Sequence, residues 1–320
     1  MMIRKTLPFP IKPNIWDDLY FDISKSAKKS VKHKYMNTYR DVFMEDIALR
    51  AFPYLHGNKS NYISLTSDNK IIKNAFLNEQ DRYSGNFRTF FESVLYDMFL
   101  YDKIALEITF NEGKLHISKF PARSLHYSWI KGKYYQKMPK ISQKNRAELF
   151  AYEEYINKFK RVYFNRDNFF IIHTPKVLLK VLPKFAERTN MIDPDNFVQN
   201  MFACRNLGIE HNMIREQKLF KHRIFRDVGL GRLEEQKDIT EYYYLIRHLK
   251  MALFAARVRE DMMSQFNKLL KGICTQLGCQ EVQFVAKDLV SSQDYLDIMD
   301  KLKVDKISFE EAINAVFNKK

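Results

Sequence analysis

The sequence predicts a mixed α+β fold in which long helices accompany a β-rich middle region. Thr240 to Lys271 contains neither Gly nor Pro and has the apolar spacing of one long helix. Ile104 to Thr174 contains several short apolar runs separated by turn-like sequences, a pattern typical of hairpins. The chain of 320 residues has only 9 Gly and 9 Pro, which favours long elements with few tight loops.

The N-terminal part is expected to form an arm followed by helices. Pro8, Pro10 and Pro13 alternate with apolar residues, which suits an extended arm laid along another surface. A basic cluster follows, either as a solvated face or as an arm that contacts phosphate. Its lysines are Lys28, Lys29, Lys32 and Lys34. Helices are predicted over 36–55, Asp68–Leu77 and Asn86–Tyr101, with a short strand at Tyr62–Leu65.

The middle region is predicted to contain two hairpins and two further strands. The first hairpin pairs Ile104–Phe110 with Leu115–Phe120 through a turn that contains Gly113. The second pairs Leu125–Ile130 with Tyr134–Met138 through Lys131-Gly132-Lys133. The further strands are Lys160–Phe164 and Phe169–Thr174, and a helix is expected between Ser142 and Lys160.

The last third is predicted to be mainly helical. A helix over Asp195–Arg226 is joined to the long helix by a glycine-containing connection, Asp227–Lys237. A short strand at Val282–Val285 follows, and then a helix at Ser291–Leu302. The last helix, Ser308–Phe317, begins with a capping box from Ser308 to Glu311.

The long helix has recognisable end signals. Asp238 and Glu241 have capping-box spacing, and Thr240 is a second candidate N-cap. Gly272 is expected to be the first residue beyond the C-terminus, with Lys268 and Lys271 in the last turn, where cations suit the helix dipole. About 32 residues at a rise of 1.5 Å give a rod of roughly 48 Å.

The two faces of this helix differ in chemistry. The apolar band contains Leu245, Ile246, Leu249, Leu253, Ala256, Met262, Met263, Phe266, Leu269 and Leu270. The opposite stripe, at steps of three, four and seven, contains Arg247, Lys250, Arg257, Asp261, Ser264, Lys268 and Lys271. One interpretation is a core helix with a solvated face. The other is a wall helix whose five basic residues face an anionic partner.

Charge and cysteine content narrow the class of protein. With 53 basic and 38 acidic residues, the net charge of +15 favours a polyanionic partner, although an AT-rich genome also enriches lysine. The three cysteines, Cys204, Cys274 and Cys279, contain no CxxC pair, so we expect neither a disulfide framework nor a zinc site. No apolar run is long enough for a membrane span, and the first residues do not resemble a secretory signal.

Catalytic motifs are not found in the sequence. It contains no P-loop, no HExxH, no GxSxG and no kinase signature, and Gly229-Leu230-Gly231 has no third glycine of a dinucleotide site. Asp97 or Asp102 with Glu112 and Lys114 mimics the D…ExK pattern of metal-dependent nucleases, but the last two residues straddle a hairpin turn. We therefore expect no enzyme activity, no cofactor and no metal.

Three segments, and a fourth shorter one near the C-terminus, resemble the portal proteins of tailed bacteriophages. Phe91–Tyr127 is similar to the portal helix that runs into a "YGNAYxEI" strand, a Gly-turn hairpin and a "LxPxxV" step, although Asp102-Lys103 replace the small Gly-Asn pair. Asp167–His173 is similar to the strand that closes the same domain. Leu230–Leu270 is similar to a long helix near the portal tunnel, and Asp305–Ala312 to the late "GxISxxEA" step.

The resemblance, which spans 90–320, implies a ring of roughly twelve copies at one capsid vertex. Such a ring is a non-enzymatic conduit for double-stranded DNA during packaging and ejection. Its partners would be the major capsid protein, the terminase and a head-completion or adaptor protein, and its location would be the virion after assembly in the host cytoplasm. On this view Arg247, Lys250, Arg257, Lys268 and Lys271 are the DNA-facing candidates.

The implied organisation has four parts: an N-terminal arm with helices (1–85), a wing-like α/β domain (86–182), a long-helix stem and tunnel region (183–275) and a small crown-like region (276–320). The alternative function is that of a basic nucleic-acid-binding protein in replication or regulation. A metal-dependent nuclease is a further alternative, which depends on Glu112. No membrane partner is expected.

Overall fold

The computed structural model describes residues 44, 46–53, 62–77, 87–101, 103–111, 114–120, 125–137, 161–164, 169–181 and 241–317. In these residues the fold mixes helices and strands, as predicted. The predicted helices at 142–160 and 195–226, the connection at 227–237, the arm lysines and the candidate caps Asp238 and Thr240 lie outside them. The predicted four-part division therefore stays a prediction.

The chain divides into two compact units that interleave along the sequence. Unit 1 contains the described residues of Ile63–Thr174 and Met263–Val285. Unit 2 contains those of Lys32–Tyr62, Pro175–Met262 and Ala286–Lys320. The long helix contributes its N-terminal part to unit 2 and its C-terminal part to unit 1.

In the described residues, unit 1 is built on antiparallel strands and three helices. Its elements are β1 (Ile63–Leu65), α2 (Lys70–Phe76), α3 (Arg88–Tyr101), β2 (Lys103–Asn111), β3 (Lys114–Phe120), β4 (Leu125–Ser128), β5 (Lys133–Lys137), β6 (Arg161–Phe164), β7 (Phe169–His173), part of α5 (Glu241–Leu277) and β8 (Phe284–Ala286). The described strands form three sheets, with orders β3-β2-β7, β4-β5-β6 and β1-β8. Helix α2 packs on β3, and α3 packs on β2.

Both predicted hairpins are confirmed. Asn111 pairs with Lys114 at the end of the first hairpin, so the two strands run antiparallel from the position of the predicted turn. Ser128 pairs with Lys133 in the second, which leaves a loop over 129–132. Gly132 has φ +59°, a left-handed conformation that glycine adopts without steric cost.

Edge-to-face phenylalanine contacts form the core of unit 1. Phe266 of α5 lies 5.2 Å from Phe91 of α3 and 6.2 Å from Phe284 of β8, measured between ring centroids. Phe76 of α2 lies 5.1 Å from Phe284, and Phe87 lies 5.2 Å from it. Perpendicular rings place the positive edge of one ring against the negative face of another, so the cluster adds directional contacts to apolar burial.

Unit 2 is helical in the described residues. Its elements are α1 (46–51), α4 (Lys176–Leu179), the N-terminal part of α5, α6 (Ser292–Lys303) and α7 (Phe309–Phe317). The core packs α5 on α6 and α7 through Leu245, Leu249, Leu253, Met299, Leu302 and Ala312. Capping boxes begin both α6 and α7: Ser291 with Asp294, and Ser308 with Glu311. The second of these was predicted.

The C-terminus predicted for the long helix is wrong. Helix α5 continues through Gly272 to Leu277, because Ile273 and Cys274 are buried and hold the next turn in the core. It ends where Gly278 takes φ +64° and the Cys279 N–H donates to the Cys274 carbonyl at 3.1 Å. That bond belongs to a Schellman cap. With 37 residues the helix is about 56 Å long, and Lys268 and Lys271 lie before its last turn.

Candidate nucleic-acid interface

The five basic candidates on α5 differ in exposure. In unit 2, Arg257 is exposed, whereas Arg247 and Lys250 are half-buried. In unit 1, Lys268 and Lys271 are both exposed. Arg257, Lys268 and Lys271 are therefore the candidates with the greatest access to a partner.

Packing explains why exposure is concentrated at those positions. The six residues over 251–256 are all buried, and so are Val258 and Arg259, so α5 is enclosed on most sides in unit 2. In unit 1 the exposed residues Ser264, Lys268, Lys271 and Thr275 recur every three or four positions. This spacing leaves one narrow face of the helix open. Helix α5 is thus a core helix with a solvated face, as in the first sequence interpretation, and an anionic partner for its basic residues stays a prediction.

Two side-chain amides fix the rotation of α5 in unit 1. The Oε1 atom of Gln265 accepts from the His173 N–H at 2.8 Å, and its Nε2 donates to the His173 carbonyl at 2.9 Å. Asn267 makes a similar pair of hydrogen bonds with the backbone of Phe284: Oδ1 accepts from the N–H at 2.7 Å and Nδ2 donates to the carbonyl at 3.1 Å. At 100° per residue, Gln265 and Asn267 lie on either side of the line through Ser264, Lys268 and Lys271. The two strand contacts therefore turn that line outward.

The sequence did not predict these amide contacts. His173 contacts Gln265 through its backbone, while its imidazole is exposed. The signal was present in the sequence, since Gln265 and Asn267 are uncharged polar residues beside the apolar band and can both donate and accept. Nothing in the sequence indicated which strands they would bind.

Two adjacent charged residues, Arg259 and Glu260, anchor α5 in unit 2. Arg259 is 4% exposed; its Nη2 donates to the Val290 carbonyl at 2.6 Å and its Nη1 to the Ala51 carbonyl at 3.5 Å. Burial lowers the pKa of Arg259, and neighbouring Glu260 and Tyr295 act in the opposite direction. The Glu260 carboxylate accepts from the N–H and hydroxyl of Ser292, at 2.7 and 2.5 Å, at the start of α6.

The nuclease-like pattern is only partly described. Asp97 forms an ion pair with Lys119, with 2.7 Å between Oδ2 and Nζ, and Lys114 is exposed. Asp102 and Glu112 lie outside the described residues, as do Lys28, Lys29, Lys32 and Lys34. Among the residues that are described, no three His, Cys, Asp or Glu side chains group as metal ligands would. The roles predicted for the undescribed residues remain predictions.

A second exposed basic surface lies in and next to the loop over 129–132, where the sequence predicted a turn only at 131–133. Trp129 is 88% exposed and Ile130 is 99% exposed, and Lys131 and Lys133 are exposed beside them. The apolar pair was visible in the sequence, at the end of the predicted strand Leu125–Ile130. Its exposure depends on where the loop begins, and the predicted strand ended two residues too late, at Ile130.

Comparisons with known proteins give no family for the chain. No protein-family model matches it, and no curated protein matches it significantly. Within the described part of the chain, every helix is too short or too polar to cross a membrane. The function must therefore be inferred from the surfaces described above.

Proposed function

We propose that this chain is the portal protein of a tailed bacteriophage, a ring subunit at one capsid vertex through which double-stranded DNA enters and leaves. The supporting observation is α5, a helix of 37 residues whose apolar faces are buried while Arg257, Lys268 and Lys271 remain exposed. The portal resemblance gives this same helix a position near the tunnel. No nucleotide-binding or catalytic motif is needed for this function, because the portal is a passive conduit.

The exposed basic residues of α5 suit contact with DNA that moves through the ring. Lysine and arginine side chains on a helix contact phosphates without reading base sequence, as a conduit for any DNA requires. In unit 1 the open line on α5 contains only two basic residues, Lys268 and Lys271, flanked by the neutral Ser264 and Thr275. Sparse charge gives attraction without the tight binding that would stall DNA. Much of the net charge of +15 is then expected outside the channel.

A ring also needs contacts between copies. A closed ring is built from heterologous contacts, so each subunit must present two different complementary faces. The capsid protein, terminase and adaptor would bind further surfaces of the assembled ring. These partners follow from the portal resemblance and form part of the proposal.

Charge reversal on α5 tests the DNA-facing assignment. In the variant Arg257→Glu, Lys268→Glu, Lys271→Glu we expect ring assembly to persist and affinity for double-stranded DNA to fall. The salt dependence of binding should weaken by about 0.9 in log–log slope for each phosphate that the variant no longer neutralises. Ring assembly is followed by electron microscopy, and binding by fluorescence anisotropy over a salt series.

The matched control reverses three exposed lysines on other elements, Lys70, Lys114 and Lys301, and changes the net charge by the same amount. It should keep most of the affinity for DNA and have a smaller effect on the salt slope. If the two triple variants lose affinity equally, the effect is one of net charge and α5 does not face DNA. If the α5 variant binds and retains DNA as the wild type does, the channel assignment is wrong.

A further inference from the structure

The loop that joins β4 to β5 carries a feature that the channel does not explain. We call residues 129–133 the hairpin tip. Trp129 and Ile130 are 88% and 99% exposed, among the largest exposures of any apolar side chains in the described residues. Lys131 and Lys133 are exposed in the same five residues. Large apolar side chains left in water next to cations indicate a binding surface.

The Trp129 ring contacts a series of aromatic side chains that ends in the core of unit 1. It lies 5.3 Å from the Tyr127 ring at 81°, and Tyr127 lies 5.5 Å from Tyr134. Tyr134 in turn lies 5.9 Å from Phe169, which is buried in unit 1. The near-perpendicular contact with Tyr127 does not cover the indole by stacking, and the exposure of Trp129 leaves its flat surface accessible. The tip therefore offers a supported aromatic platform.

The lysines belong to the same tip but lie on the other face of the hairpin. Lys131 places its Nζ 4.0 Å from the centroid of the Tyr163 ring, a cation–π contact. Tyr163 pairs in register with Tyr135, and Tyr135 with His126, so an aromatic row crosses the sheet beneath Lys131. Lys133 pairs in register with Ser128 on the same strands. Side chains alternate between the two faces of a strand, and Trp129 contacts Tyr127 of the opposite face, so the tip carries its two cations on one face and its indole on the other.

We propose that the hairpin tip binds an unpaired stretch of nucleic acid. One base stacks on Trp129 and Ile130 packs against the adjacent sugar or base edge. The strand crosses the end of the hairpin, so that Lys131 and Lys133 pair with phosphates on the other face. Surfaces that bind single strands combine these two components, stacking aromatics and cations that follow the backbone. An open indole surface suits a flat base, and the chain's charge of +15 suits a polyanion.

The proposal rests on the tip alone and does not require ring formation. If the chain is a portal, the tip is a nucleic-acid contact separate from the basic face of α5. If the chain is a basic nucleic-acid-binding protein of another kind, the same contact is available. The two proposals can therefore fail independently.

Tryptophan fluorescence gives a direct test, because the chain has only two tryptophans, Trp16 and Trp129. In a full-length Trp16→Phe variant, Trp129 is the single reporter. Titration with an oligothymidylate of about 16 nucleotides, the upper end of site sizes for such surfaces, should quench its emission. In the same background Trp129→Phe should retain most of the affinity, whereas Trp129→Ala should lose roughly tenfold or more.

The lysines are tested by salt dependence. Lys131→Gln with Lys133→Gln should reduce the log–log salt slope by about 1.4, since each phosphate contact with a single strand contributes about 0.7. The control Lys301→Gln with Lys306→Gln removes two exposed lysines of unit 2 and should leave the slope nearly unchanged. Circular dichroism confirms that each variant is folded. A duplex of the same length should bind Trp129 more weakly than the single strand.

Three outcomes would overturn the inference. In the first, the oligothymidylate leaves Trp129 emission and the affinity of Trp129→Ala unchanged. In the second, vesicles of phosphatidylcholine and phosphatidylglycerol shift the emission to the blue while the oligonucleotide has no effect, which would make the tip a lipid contact. In the third, the emission shifts to the blue with protein concentration alone, which would mean that a second copy covers the tip. If the protein forms rings but the oligothymidylate does not quench Trp129, only this inference is contradicted. If Trp129 is quenched but no rings form, only the portal proposal is contradicted.

Discussion

At the scale of single residues, two arginines of α5 that are two positions apart have opposite surroundings. Arg257 is exposed, whereas Arg259 is buried and donates to the Val290 and Ala51 carbonyls. Helical periodicity explains this difference, since two residues in sequence lie about 200° apart around the axis. The sequence placed Arg257 on the open stripe and left Arg259 off it. It did not indicate that two carbonyls would receive the Arg259 guanidinium, because these come from distant segments.

His248 should make the stability of the protein depend on pH. Burial, and then the positive charge of Arg50, lower the pKa of His248 below its usual 6.5, and its Nδ1 lies 3.4 Å from Arg50 Nη1. As the pH falls, His248 is therefore protonated more readily in the unfolded chain than in the folded one. The free energy of unfolding consequently falls as the pH drops from about 7.5 through 6.5 toward the lowered pKa of the folded state. His248→Gln should flatten this decline.

The measurement is urea denaturation of wild type and His248→Gln at several pH values between about 7.5 and 5.5, above the range where most carboxylates titrate. The wild type should lose more stability across this range than the variant. Equal declines in the two proteins would show that another group controls the pH dependence.

At the scale of elements, predictions based on local periodicity, on hairpin turns and on the Ser308 capping box were accurate. The helices at Arg88–Tyr101 and Ser292–Lys303 and both hairpins occur where alternation, spacing and turn residues indicated. The error at Gly272 has a physical reason. A glycine inside a helix costs only about 1 kcal/mol relative to alanine, and burial of the following Ile273 and Cys274 more than offsets that cost. Local end signals do not reveal such tertiary packing.

Asn267 should be a main stabiliser of the contact between α5 and β8. Asn267→Ala removes both bonds to Phe284, a buried residue, and leaves its N–H and carbonyl without these partners. We expect a loss of about 1–3 kcal/mol in the free energy of unfolding. Asn267→Asp should be intermediate, because a carboxylate still accepts from the N–H but cannot donate to the carbonyl.

The control for this series is Asn74→Ala, an asparagine on the exposed surface of α2. Urea denaturation compares the three variants with the wild type. If Asn267→Ala costs no more than Asn74→Ala, the amide pair with Phe284 does not hold the helix to the strand.

At the scale of the whole molecule, the sequence predicted the mixed fold class but could not predict how segments combine. The two units interleave, and α5 contributes to both, because contacts such as Gln265 with His173 join residues far apart in the chain. The candidate site was predictable as a stripe on α5, and the exposure of its members was not. The hairpin tip was missed because exposure of Trp129 depends on the pairing of β4 with β5.

The central claim is that copies of this chain assemble into a ring around DNA. The most direct test is the native mass of the purified full-length protein, with negative-stain electron microscopy of the same sample. The account predicts annular particles with a central hole and a mass near that of about twelve 38.3 kDa subunits. A uniform monomer or dimer, at concentrations and salt conditions where the protein is folded and with no annular particles, would contradict it.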